Sequence, residues 1–341
     1  MVTVRKFICV LVGVLSLAWG WNDLARSAEP DYHLLRRIKV GGEGGWDYVT
    51  MDSEARRLYI SRANRVQVLD VEKGEVVGEV AKTPGIHGVA LVPKSGRGFT
   101  SNGQENTVTI FDLQTLKEVE RVKVGARPDA IIYDPASGRV FTFNAGSKDA
   151  TAIDAESGKV AGSVKLGGKP EAAVADEQGQ VYVNIEDKDE VLAFDAKELT
   201  VKGRWPVSPG KAPAGLAMDR KNRRLFITCH NEKMVVLDAD SGKVIATPAI
   251  GKGTDACVFD ASANLAFSSN GDGTLTVVQA DPAGEYKVVA SAKTEVGART
   301  MALDTKTHNI FLVTAKFKPA AAGTRRRGIE PDTFVVLEVG K

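Results

Sequence analysis

From about residue 32 onward, apolar and polar residues alternate in runs of five to eight, and each run is bounded by Gly, Asp, Asn or Pro. A period of two is the pattern of a half-buried β-strand, and no amphipathic helical pattern interrupts it. The stretch from residue 129 to residue 167 is representative. It reads DAIIYD (129–134), RVFTFN (139–144), ATAID (150–154) and KVAGSVKLG (159–167), joined by short turns. Asp heads the first and third of these turns, where its carboxylate can accept local backbone N–H groups, and Gly follows where a positive φ is needed.

This four-strand unit repeats. The residues closing the first strand of each unit are Asp52, Pro93, Asp134, Asp176, Asp219, Asp260 and Asp304, with gaps of 41, 41, 42, 43, 41 and 44. A second column follows the third strand at Asp70, Asp112, Asp154, Asp195, Asp238, Gln279 and Glu338. Four strands repeated seven times at a period near 42 predict an all-β, seven-bladed β-propeller. The length of 341 residues would otherwise suggest two domains, but one unbroken period makes residues 29–341 a single domain. The last unit has TMALD (300–304), NIFLVTA (309–315) and TFVVLEV (333–339) but no fourth strand. YHLLRRIKVGG (32–42) has the form of that missing strand, so the N-terminal segment is expected to close the last blade and remove a free edge. First strands are rich in small residues, as in GVAL (88–91), AAVA (172–175) and GLAM (215–218), because inner strands crowd the propeller axis.

The repeat resembles the YVTN family of bacterial β-propeller proteins. The family's strand is echoed in FTSN (99–102), FTFN (141–144), YVN (182–184) and FIT (226–228). Each is followed by an alternating strand ending in Asp, and SGKV turns follow at 157–160 and 241–244. The likeness runs over essentially the whole chain from residue 32. It implies an exported seven-bladed propeller, commonly periplasmic, and no single activity.

The N-terminus agrees with export. MVTVRK precedes an uncharged apolar run of thirteen residues, 7–19, which is the length of a secretory leader rather than a membrane span. A signal peptide over residues 1–28 and a periplasmic or secreted location are expected, with no membrane span after cleavage. Residues 29–341 carry 42 basic and 42 acidic side chains, which argues against a nucleic-acid-binding chain. Cys229 and Cys257 sit in no metal-ligand spacing and on strands of adjacent units, so two separate buried thiols are expected rather than a disulfide. HExxH, P-loop, nucleophile-elbow and dinucleotide motifs are all missing. No catalytic residue, metal or cofactor is assigned, and the chain is expected to be monomeric.

Function is expected where loops entering the first strands and loops joining second to third strands meet on one face. The entrance column holds Asp47, His87, Asp129, Glu171 and Asp255, interleaved with Arg127, Lys169 and Arg299. The ends of the second strands hold Arg62, Asn102, Asn144, His230 and Asn270; the asparagines equally fit a role in repeat hydrogen bonding. Trp46 stands beside the ring, where it can stack on a flat ligand. An insertion in the last blade, residues 316–333, carries Arg325, Arg326 and Arg327 to the same face.

The leading expectation is a non-catalytic binding or scaffold protein. Its ligand site comprises Asp47, His87, Arg127, Asp129, Glu171, His230, Asp255, Arg299 and Arg325–Arg327, and its partner is a small ligand or a periplasmic protein. The alternative is a metal-assisted lactonase or lyase with His87 or His230 as base. A third reading is nucleic-acid binding through the arginine loop.

Overall fold

The computed structural model describes residues 30–281, 284–319 and 328–341, together with Val2. The expected leader over 1–28, Val2 apart, and the arginines at 325–327 lie outside the described residues. The chain folds into seven antiparallel sheets of four strands each. The inner strands are Val49–Asp52, Ile86–Val92, Pro128–Asp134, Pro170–Ala175, Pro213–Asp219, Thr254–Asp260 and Thr300–Leu303. Each inner strand packs against the next and the seventh returns to the first, so the sheets form a closed seven-bladed propeller. Among the described residues the only helical pieces are two short 3-10 turns, Pro93–Ser95 and Glu186–Lys188, and no helix is long and apolar enough to cross a membrane.

Closure follows the expected route. The N-terminal strand His33–Lys39 pairs antiparallel with Val335–Gly340, in a register running from His33 opposite Gly340 to Lys39 opposite Val335. Blade 7 is therefore built from both ends of the ring.

The core lies between blades rather than within one. Second strands such as Arg139–Asn144 are buried along almost their whole length because both of their faces meet neighbouring sheets. Phe141 and Phe143 of blade 3 pack against Val181 and Phe194 of blade 4, with the rings of Phe141 and Phe194 centred 5.3 Å apart at 67°. Each such buried aromatic contributes roughly 2–3 kcal/mol of transfer free energy. Near the axis the backbones approach so closely that a Cβ at Gly215 would lie 2.5 Å from the Cys257 nitrogen, which is why inner strands are small-residue strands.

The two aspartate columns are turn devices. Asp112 accepts the Thr115 N–H at 2.7 Å and Asp154 the Ser157 N–H at 2.7 Å, and these bonds hold both carboxyl groups below the usual range. Several first-column aspartates also tie one blade to another. Arg56 of blade 1 donates to Asp304 of blade 7 at 2.6 Å, and Arg223 of blade 5 donates to Asp176 of blade 4 at 2.8 Å. His308 of blade 7 pairs with Asp260 of blade 6 at 2.9 Å. Cys229 and Cys257 are free and buried, as expected, and burial pushes the Cys229 thiol up to about 12.

Candidate functional site at the channel mouth

The entrance column converges as the repeat implies, because the same position in each blade starts an inner strand at the axis. His87 Nδ1 lies 2.6 Å from Asp47 Oδ2 and 3.6 Å from Asp129 Oδ1, so one imidazole from blade 2 joins carboxylates of blades 1 and 3. One ligand atom from each of the three lies within 4.8 Å of the others. Glu171 follows from blade 4, with Lys169 Nζ 3.3 Å from its Oε2; that oxygen is buried and accepts no hydrogen bond. Lys169 also donates to Glu186, whose other oxygen lies 3.9 Å from His230 Nε2. On the far side Arg299 Nε stands 3.2 Å from Asp255 Oδ2. Arg127 is exposed at the rim and draws the Asp129 carboxyl down without contacting it.

Half-buried carboxylates in such proximity resist ionising together. Burial, followed by the charge of Asp129, pushes Glu171 up to about 8 even though Lys169 opposes the shift. Burial lifts Asp255 to about 6 against the pull of Arg299. Asp129 is raised by burial and by Asp47, with His87 acting in the opposite direction. For His87, burial disfavours the imidazolium. The hydrogen bond that its N–H donates to Asp47 and the charges of Asp129, Asp47 and Glu171 outweigh that and leave its pKa raised.

The pattern of the column hides one participant. The residues following the entrance positions are Gly88, Ala130, Ala172, Gly215, Ala256 and Thr300, but blade 1 has Tyr48. Its ring packs on the apolar cluster of blades 3 and 4, so it crosses the axis. Burial and the charges of Glu171, Asp129, Asp47 and Asp255 raise its hydroxyl well above the ordinary phenol value. Tyr48 also lines a channel cavity of about 160 Å³ walled by inner strands. The signal in the sequence was a single large residue in a column of small ones.

The second-strand column does not join the mouth, with one exception. Asn102 donates to Thr107 and Thr109, Asn144 to Asp149 and Thr151, and Asn270 to Thr274 and Thr276, all inside their own blades. Arg62 is fully buried. His230 alone remains at the surface, beside Glu186. The stem of the blade 7 insertion is described, with Phe317 bridged to Ile329 and Trp46 packed 5.9 Å from the Phe317 ring. Arg325, Arg326 and Arg327 are outside the described residues.

A family described as outer membrane protein assembly factor BamB matches residues 62–325, well over half of the chain. The chain belongs to that family. Its expected place among propeller repeat proteins is therefore met at the level of this BamB-type family. Among curated proteins none matches. Of solved structures, that of U3-55K superposes with a TM-score of 0.74 at 7% identity, covering 89% of this chain and 97% of that one. The hydrazine synthase of Kuenenia stuttgartiensis matches at 17% identity with a TM-score of 0.48, covering 69% of this chain and 96% of that one. The likeness to U3-55K shows a shared fold and nothing of activity.

Proposed function

We propose that the protein is an exported, YVTN-type propeller that binds, without catalysis, a ligand or partner presenting a cationic group to the channel mouth. One observation carries this reading: Asp47, Asp129 and Glu171 crowd around a single imidazole and a single lysine. An incoming ammonium, guanidinium or divalent cation relieves the repulsion among them and favours the ionised form of Glu171. A protein partner is in keeping with the family's description as an assembly factor, and a basic side chain from it would supply the charge. The apolar run at 7–19 supports a periplasmic site of action. A scaffold of inter-blade aromatic packing is rigid enough to present the ring without rearrangement.

The test is calorimetric titration of the purified protein with spermidine and with MnCl2 at pH 5.5 and pH 8.5. Binding of at least one cation, strengthening about tenfold or more at the higher pH and weakened about tenfold by Asp129→Asn, supports the reading. Failure of both cations to bind at pH 8.5 overturns it.

A second reading is favoured by the Asp47–His87–Asp129 geometry, whose one nitrogen and two oxygen donors fit a three-point hold on a divalent transition metal. When bound, such a metal supplies Lewis-acid activation of a lactone or ester carbonyl. Glu171, which keeps its proton near neutrality, stands beside the triad as a proton donor. One equivalent of metal surviving dialysis, together with hydrolysis lost in His87→Ala, would replace the binding reading with this one.

A further inference from the structure

A second concavity opens on the same face, between blades 6, 7 and 1, and it is chemically unlike the mouth. Its volume is about 660 Å³, within the range of small-molecule sites. One wall is aromatic: the Trp46 indole is set in a tilted arrangement with Phe317, and behind it lies Phe334, 5.4 Å away. Ile329 and Val296 extend the apolar lining, and Val296 is 60% exposed, the most exposed large apolar side chain among residues 30–341 that are described. Phe317 can lie against the backbone opposite because residue 297 is glycine, at φ +86°; a Cβ there would come within 2.5 Å of the ring. These contacts hold the wall in place while leaving its face open.

The charge in this pocket is opposite in sign to that of the mouth. Its polar side chains are Lys252, Arg299 and Asp272. Asp272 is occupied by backbone of its own turn and of the neighbouring entrance loop, accepting from the Thr274 and Lys252 N–H groups and from the Thr274 hydroxyl. Arg299 Nε stands 3.2 Å from Asp255 Oδ2, and the guanidinium makes no hydrogen bond among the described residues. The Lys252 ammonium, by contrast, forms no ion pair among the described residues. An apolar aromatic wall edged by one unpaired ammonium and by a guanidinium shared with Asp255 is complementary to one kind of ligand, a flat hydrocarbon body carrying an acid group.

We propose that this pocket binds a planar aromatic anion of the aryl carboxylate class, stacked on Trp46 with its acid group directed to Lys252 and Arg299. The proposal does not depend on the mouth accepting a cation.

Gly45 supplies the test. It lines the pocket, its backbone is outside the left-handed region, and a Cβ built on it meets nothing within 4 Å. Gly45→Leu therefore adds an apolar side chain at the pocket lining with no clash at its Cβ. Calorimetric titration with 2-naphthoate should show binding at about 1 mM or tighter. Neutral 2-naphthamide and cationic 2-naphthylmethylammonium should each bind at least about tenfold more weakly. Gly45→Leu should cost about tenfold or more with the thermal midpoint retained, and Lys252→Gln, at an exposed position that folding does not need, should cost several-fold. Asp129→Asn should leave naphthoate binding unchanged, which separates this site from the mouth. Absence of naphthoate binding, equal binding of the three probes, or unchanged affinity in both Gly45→Leu and Lys252→Gln overturns the proposal.

Discussion

Arg62 is the largest of the fully buried side chains, and its environment explains why a guanidinium is held inside an apolar ring. It donates to the carbonyls of Gly41, Glu43 and Gly44 and to Gln67 Oε1, and its guanidinium carbon stands 3.8 Å from the centre of the Phe334 ring. It fastens the segment between the closing strand and blade 1, a loop with no ladder of its own. Burial pulls its pKa down to about 10, which still leaves it charged at physiological pH. Arg62→Ala leaves several carbonyls without a donor, and we expect a loss of about 3 kcal/mol or more in urea unfolding. Arg62→Lys should recover only part of this, because an ammonium cannot span the same set of acceptors. Nothing in the sequence separates Arg62 from the mouth residues, since it occupies the column of Asn102 and Asn144; only the three-dimensional path of Gly41–Gly44 decides which way it turns. Asp47, His87, Asp129, Glu171 and Asp255 were legible because their column starts the inner strands, which a closed ring must bring to its axis.

The strand His33–Lys39 is the element on which closure rests. Its outer side is exposed, and its inner side supplies the fourth strand and third ladder of blade 7, along with the ion pairs Arg36–Glu338 at 2.9 Å and Arg37–Glu295 at 2.8 Å. Deleting residues 30–40 exposes the edge of Val335–Gly340, a flat apolar strand that invites pairing with another chain. The expected outcome, relative to the intact chain, is a shift to larger species in size-exclusion chromatography and a thermal midpoint lower by several degrees. The blade repeat was readable because turn chemistry is local: an aspartate carboxylate meets amides two and three residues on, whatever surrounds it, as at Asp238 with Ser241. Inter-blade ties such as Arg56–Asp304 are not local, joining residues 248 apart, and no spacing along the chain announces them. The aromatic pocket shares that character. Trp46 was visible as a stacking residue, but its partnership with Phe317 required the insertion stem to be placed beside blade 1.

At the scale of the whole molecule, the mouth ties stability to pH in a direction opposite to that of the turn aspartates. Glu171 releases its proton at about 8 in the folded protein against an ordinary value of 4.5, and Asp255 at about 6 against 3.8. Between each pair of values the folded protein holds a proton that the unfolded chain has lost, so stability falls as pH rises through that window. His87, raised above 6.5, adds the same sign: its contribution is complete below 6.5 and disappears as pH climbs through its folded value. Turn carboxylates such as Asp112 and Asp304 are depressed, so their contribution is lost only as the solution is acidified below the ordinary carboxylate range. Above pH 5 the mouth therefore dominates, and the wild-type thermal midpoint should decline from pH 5 to pH 8. Glu171→Gln fixes the neutral form of that side chain and should flatten the decline, matching wild type near pH 5 and exceeding it at pH 8 by about 1–2 °C, equivalent to about 1 kcal/mol. Asp255→Asn should flatten the profile only between about pH 4 and 6, because its window closes there. Added cation should reproduce the effect of Glu171→Gln in the wild-type protein at pH 8 and do less in the variant, since both remove the same repulsion. Parallel profiles for wild type and Glu171→Gln would mean that the carboxylates do not feel one another, and the cation reading of the mouth would lose its physical basis.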